Sequence, residues 1–304
     1  MIKSFAELEK KVLDSAVRKK LAVVVAQDEH TLEAVTVAAN KGIIDPMLIG
    51  DRDQILTILG GFSERPANPT IIDIKDPTEA VQKGADLVRS GEVDCIMKGK
   101  LETGAMMKIL VNRERGIRKR DTMSLMAMME SPYYHKVFAI TDVGLLTYPD
   151  FEQKKDMIAN AVSAFHALGV SHPKVSILAA VEKVNPKMQV TVDAAKLKEM
   201  GYEIAPDCTI EGPISYDLAM DSESAKIKGY DSPVSGDSDI LVVPDIVAGN
   251  LLAKGLICTG GGKTCGCVLG AMVPLIIISR SASAEDKYMS IVLAALIGRS
   301  MEDE

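Results

Sequence analysis

The strongest constraint on this chain is its rhythm. Short apolar runs rich in β-branched residues alternate with longer stretches of helical spacing. Leu21–Ala26 (LAVVVA) reads as a buried strand. His30–Lys41 follows with apolar residues at Leu32, Val35, Ala38 and Ala39, the spacing of one helical face. Pro46–Ile49 is a short strand, and Asp51 opens a helix through Leu59. Thr70–Ile74 is a strand, and Asp76–Ser90 a helix with Pro77 in its first turn. Val93–Met97 is a strand that runs into Lys98-Gly99. Parallel neighbours need a crossover connection, which a helix supplies, so the alternation predicts βαβ units and a mostly parallel sheet.

The rhythm breaks in the middle. Met123–Met129 and Val137–Thr141 read as two successive strands, with a turn near Ser131-Pro132. It then resumes. Asp150–Leu168 is a long helix, Val175–Val181 a strand, and Thr191–Met200 a helix closed by Gly201. Asp239–Val243 is a strand and Ile246–Leu256 a helix. Val273–Ile278 is a strand before a final helix over Ser283–Gly298. A chain of 304 residues suits two domains. The break sets the expected boundary: 1–135 is a first α/β domain and 136–282 a second, with the last helix, 283–304, returning to the first.

Composition excludes several classes. The longest nearly unbroken apolar run, Val268–Ile278, contains Pro274 and is far shorter than the roughly 20 residues a membrane-spanning helix needs. A net charge of −7 argues against nucleic acid, whose binding relies on neutralising phosphates. Trp is absent, so stacking platforms for bases are scarce. The opening MIKSFAELEKKVLDSA is charged and amphipathic, unlike a signal peptide, so a cytoplasmic location is expected. The five cysteines include no CxxC pair, so reduced structural thiols are expected rather than disulfides or a metal site. Clustered methionines (Met106, Met107, Met126, Met128 and Met129) are core filling or an adaptable pocket.

Ligands of open parallel sheets bind beyond the carboxyl ends of the strands. The residues there are Lys98-Gly99, Thr141-Asp142, Glu182-Lys183, Pro244 and Ser279-Arg280-Ser281. Cations, hydroxyls and flexible backbone at such points suit a phosphate-bearing ligand. Thr259–Gly266 (TGGGKTCG) is a mobile turn or an anion-cradling loop. It is not a P-loop, because that pattern places Gly at 257, where Ile257 stands. No GxGxxG follows a strand, which argues against a nicotinamide enzyme of the usual type. Ser283 and Asp286 have capping-box spacing. Asp286 is therefore a helix cap, or a base beside an anion held by Arg280. His135, His166 and His172 lie near element ends, where surface or capping roles are expected.

Five ordered segments carry a resemblance. They are TDVGLLTYPDFEQKKDMIANAV (Thr141–Val162), PKVSILAAVEKVNPKM (Pro173–Met188), EGPISYDLA (Glu211–Ala219), SGDSDILVVPDIVAGN (Ser235–Asn250) and PLIIISR (Pro274–Arg280). Together they resemble the phosphate acetyl/butyryltransferase family, closest to its butyryl branch. The resemblance implies two three-layer α/β domains with a cleft between them, as in isocitrate and isopropylmalate dehydrogenases. It implies a homo-oligomer, no metal, no cofactor, and coenzyme A, acyl phosphate and inorganic phosphate as ligands. Carried over by position, Ser279, Arg280 and Asp286 are the catalytic set. Lys98, Gly99, Thr103, Lys108, Arg118, Thr141, Asp142, Gly249, Asn250 and Lys254 are substrate-binding. Lys108 meets an Arg of acetyl-specific members, and Arg118 in GIRK resembles the Gly-Leu-Arg of butyryl-type members. Val247 and Ala253 replace a Glu and a Tyr common in the family.

The expected reaction is butyryl-CoA + phosphate = butyryl phosphate + CoA, by direct thiolate attack in a ternary complex. The alternatives are phosphate acetyltransferase and a non-catalytic acyl-CoA-binding protein on the same fold. A metal-dependent dehydrogenase of the related fold would need an acidic cluster, and the matched motifs contain no compact one.

Overall fold

A computed structural model describes residues 2–279 and 282–298. The chain begins with α1 (Phe5–Asp14), β1 (Lys19–Val24), α2 (Glu29–Asn40), β2 (Ile44–Gly50), α3 (Arg52–Gly60), β3 (Thr70–Asp73), α4 (Pro77–Arg89), β4 (Cys95–Lys98) and α5 (Thr103–Leu110). Next come β5 (Ser124–Glu130), β6 (Phe138–Thr141), α6 (Phe151–Ala167), β7 (Lys174–Leu178), α7 (Gln189–Glu199), α8 (Gly201–Ile204), β8 (Thr209–Ile214), α9 (Tyr216–Met220), α10 (Ser222–Lys228), β9 (Ile240–Val242) and α11 (Ile246–Cys258). The last elements are β10 (Lys263–Leu269), β11 (Leu275–Ile276) and α12 (Ala284–Ile297). They form two compact units. A discontinuous unit comprises Phe5–Arg120 and the chain from Cys265 onward. An inserted unit comprises Asp121–Thr264 with residues 2–4.

In the discontinuous unit the strand order is β3-β2-β1-β4-β11-β10. All neighbours are parallel except β10, which runs antiparallel to β11. β1 is central and covered on both faces, which is why its sequence is a continuous apolar run. The helices after β1, β2 and β3 start alike. Asp28 accepts from Thr31 N, Asp51 from Asp53 N and Gln54 N, and Asp76 from Glu79 N. Each such cap contributes about 1 kcal/mol. α12 is buried almost all round, as its apolar sequence demands, and packs on α1 and α2. Tyr288 donates to Glu9 of α1 at 2.6 Å.

In the inserted unit the order is β5-β6-β9-β7-β8, with β5 antiparallel to β6 and the others parallel. Its core gathers Phe138, Ile140, Ile214, Leu218, Leu241 and Val243. α6 opens with the reciprocal Asp150–Gln153 capping box. The amino ends of β6, β7 and β9 are joined by charge. The buried Lys136 ammonium lies 2.8 Å from Asp237 and 2.6 Å from Asp239, and Lys174 lies 2.6 Å from Asp237. Burial alone would raise the Asp237 carboxyl, but Lys136, Lys174 and His135 outweigh it and hold it well below the usual range.

The structure departs from the sequence reading in three places. The chain passes between units at Arg120–Asp121 and Thr264–Cys265, where the sequence placed the boundary at 135 and the return at 283. β11 lies beside β4, so it belongs with the discontinuous unit, and periodicity carries no information about that pairing. The Gly-rich segment Thr259–Gly266 is also not all loop, because β10 starts at Lys263. Finally, α1, α5, α8, β8, α9 and α10 fill segments that the sequence reading leaves without an element. The clustered methionines are core residues: Met106, Met126, Met128 and Met129 are fully buried. No described helix is long and apolar enough to cross a membrane.

Candidate active site

The carboxyl edge of the discontinuous unit gathers several of the expected residues. β4 ends at Lys98, and Gly99 turns the chain. Gly99 N donates to Val24 O at 2.9 Å and Lys100 N to Val25 O at 2.8 Å. A Cβ on Gly99 would fall 2.1 Å from Val25 O, so only glycine lets this turn lie against β1. Lys98 is buried and donates to the carbonyls of Gly99 (3.3 Å) and Leu101 (3.0 Å). Thr103 is the first residue of α5. Ile276 sits beside Met97, so the chain running on to Ser279 leaves the sheet next to Lys98. Ser279 is exposed, and its carbonyl accepts from Ala282 N.

Asp286 occupies the first turn of α12 and is half-buried. Ser283 Oγ accepts from Asp286 N at 3.1 Å, and Asp286 Oδ2 accepts from Ser283 N at 3.1 Å. The cap is therefore real, and it fixes one carboxylate oxygen. A single Ser283 N–H uses only part of that group's acceptor capacity. Ser290, fully buried one turn on, donates to Asp286 O at 2.8 Å and accepts from Gly266 N at 3.0 Å. This ties the turn to β10.

The inserted unit brings Thr141, Asp142, Gly249 and Asn250 together at its own carboxyl edge. Asp142 is 1% exposed, and its carboxylate accepts from Leu125 N, Gly144 N and Leu145 N, each at 2.7 Å. Burial raises its pKa despite these donors. The carboxylate thus folds the loop after β6. Asn250 Nδ2 donates to Val143 O at 3.2 Å, bracing the same loop. The Thr141 hydroxyl is buried with no hydrogen-bond partner. Lys254 stands exposed one turn beyond Asn250 on α11.

Other expected residues lie apart from these groups. Lys108 is exposed in the last turn of α5 and lines an open hollow with Gln82, Asn112 and Arg115. The backbone of Arg118 bridges to Ala271 in the turn before β11, at the edge of the sheet opposite Lys98. Arg280, the expected phosphate ligand, lies outside the described residues. In the Gly-rich segment, three of the amides that would cradle an anion are already engaged. Thr259 N and Gly260 N donate to Gly255 O, and Gly262 N to Leu256 O, so these amides close α11. His135, His166 and His172 hydrogen-bond to Asp237, the Asp207 carbonyl and Thr209. Among the described residues no group of three or more His, Cys, Asp or Glu could hold a metal ion. The sequence reading does not single out Ser290, which ties the first turn of α12 to β10, because its partner lies in a separate element.

Two α/β units with candidate ligand residues beyond their strand ends define the fold class, and comparison with known proteins supplies the chemistry. The family described as Phosphate acetyl/butaryl transferase matches residues 74–295. The chain is 40% identical over 279 residues to a phosphate acetyltransferase of Thermotoga maritima, covering 91% of this chain and 95% of that one. It is 39% identical over 298 residues to a phosphate butyryltransferase of Clostridium acetobutylicum, covering 98% and 99%. A branched-chain phosphotransacylase from Enterococcus faecalis superposes with a TM-score of 0.80 at 27% identity, covering 92% of this chain and 99% of that one. The fold extends to a 4-hydroxythreonine-4-phosphate dehydrogenase from Burkholderia phymatum (TM-score 0.57, 13% identity, 94% and 98% covered), which agrees with the dehydrogenase-like architecture expected from sequence. The chain belongs to the phosphate acetyl/butyryltransferase family and is an acyltransferase.

Proposed function

We propose that the chain transfers a butyryl-sized acyl group reversibly between acyl phosphate and coenzyme A, with Asp286 as the base. The observation that carries the mechanism is the first turn of α12. Asp286 is held there by a reciprocal cap that engages one oxygen with a single N–H. The coenzyme A thiol loses its proton to Asp286 as its sulfur attacks the acyl carbon. The carbon–oxygen bond to phosphate then breaks, and the proton leaves with inorganic phosphate. A free thiol ionises near pH 8.5, so a positioned acceptor raises the fraction that can attack. Ser279 donates to the carbonyl or the leaving oxygen, and Arg280 takes the phosphate as a bidentate ligand. Both substrates are held together, so transfer is direct. Coenzyme A enters as a substrate rather than a bound cofactor. The butyryl preference rests on the Clostridium acetobutylicum relative, which aligns over 98% of this chain. A second reading, acetyl transfer, is favoured by the Thermotoga maritima relative at 40% identity.

The test measures thiol release from acetyl-CoA, butyryl-CoA and hexanoyl-CoA with inorganic phosphate. The highest kcat/KM on butyryl-CoA supports the reading, and the highest on acetyl-CoA replaces it with the second. Asp286→Asn within about tenfold of the parent on every substrate removes the base.

A further inference from the structure

The first turn of α12 is also held by a charge pair that the capping box does not require. Lys287 follows Asp286 directly and is only 5% exposed. A buried ammonium is costly unless it is paired. Its Nζ lies 3.4 Å from Oδ1 of Asp28. Asp28 is itself fixed, because it caps α2 and accepts the N–H of Thr31 at 2.9 Å and the Thr31 hydroxyl. Burial raises the Asp28 carboxyl, but the Thr31 donors and the Lys287 charge outweigh it and hold it below the usual value. Asp28 is therefore charged at neutral pH, and the pair is ionic.

Consecutive helical residues project about 100° apart. A side chain anchored at Lys287 therefore sets the rotation of α12 about its axis. Asp286 is carried round with it. Ser290, bonded to Gly266 N and Asp286 O, holds the same turn against β10. Cap, rotation and attachment are thus set by three separate partners.

We propose that Asp28 and Lys287 are a positioning pair for acyl transfer, locking the first turn of α12 against the first turn of α2 so that the Asp286 carboxylate keeps a productive angle. The proposal rests on Asp286 being the base. Lys287→Met removes the charge and keeps the apolar stem. We expect kcat to fall about tenfold, the scale of a small misplacement, with KM for acyl-CoA within about twofold. Lys287→Arg restores kcat to within about threefold. Asp28→Asn still caps α2 and reproduces the loss, and the double variant is no worse than either single one. Amide hydrogen exchange at Asp286–Met289 speeds up about tenfold in Lys287→Met, while α12 beyond Ile291 is unchanged.

Unchanged kcat in Lys287→Met, unchanged exchange at Asp286–Met289, or failure of Lys287→Arg to restore turnover overturns the proposal. If Asp286→Asn keeps full turnover, the base reading fails and the catalytic part of this proposal falls with it. Unchanged exchange with an inactive Asp286→Asn instead sinks the pair alone.

Discussion

The Cα of Gly249 lies so close to the backbone carbonyl of Asp142 that a Cβ there would sit 2.5 Å from the oxygen and 2.8 Å from Cγ2 of Val243. The first turn of α11 is thereby seated directly on the loop after β6. Gly249→Ala must push these apart, and overpacking of this kind costs about 1–3 kcal/mol. Thermal unfolding should shift down by a few degrees, at about 2–4 °C per kcal/mol. Gly99→Ala meets backbone at 2.1 Å and should destabilise at least as much. Calorimetry on both variants checks this.

Ser283 and Asp286 share one cap but have separable roles. Ser283→Ala removes the acceptor for Asp286 N and should cost about 1 kcal/mol, while turnover stays within about tenfold. Asp286→Asn keeps an oxygen for Ser283 N yet should lower kcat by about 10²–10⁴. Melting and steady-state rates measured on the same samples should diverge in opposite senses. If the two variants lose turnover equally, the carboxylate has no role beyond the cap.

Acid should act on the inserted unit through Asp237. Its folded-state carboxyl is held low by Lys136, Lys174 and His135, so its contribution is full above the unfolded pKa of about 3.9. That contribution is lost as pH falls below this value toward the folded one. Asp237→Asn should cost about 1–3 kcal/mol at pH 7, the scale of unpairing a buried polar partner. The gap between parent and variant should shrink below about pH 4. Denaturant titrations at pH 7 and pH 3.5 test the sign, and a gap that widens in acid would contradict it.

Thiol chemistry should be selective. Cys258 is exposed, while Cys95 and Cys267 are buried. Burial pushes the Cys95 thiol well above its usual range and Cys267 up to about 12. Half-buried Cys208 is pushed up to about 11. Thiolate is the reactive form, so iodoacetamide should label Cys258 first. Peptide mass spectrometry gives the order, and early labelling of Cys95 or Cys267 would show that the core opens.

The βα rhythm was legible because short β-branched runs alternate with helically spaced apolar residues, and Asp51 and Asp76 mark the starts of α3 and α4. β10 was not, because Gly266 and its neighbours Thr264 and Cys265 read as loop chemistry. The unit boundary was hidden in the pairing of β11 with β4, a hydrogen-bonding fact with no local sign. In the site, Ser283 and Asp286 announced their cap by spacing alone. Lys287 and Asp28 could not announce theirs, since 259 positions separate them. The roles implied for Asp142 and Asn250 illustrate a different limit. A sequence motif marks a residue as fixed in type, but their side chains bind backbone of the loop after β6.

The route of the backbone through the discontinuous unit has a consequence for biosynthesis. When β4, ending at Lys98, has left the ribosome, its far edge still lacks β11, which begins only at Leu275. The inserted unit has all its own strands well before then. Translation therefore favours completing the inserted half first, while an apolar strand edge elsewhere waits for the end of the message.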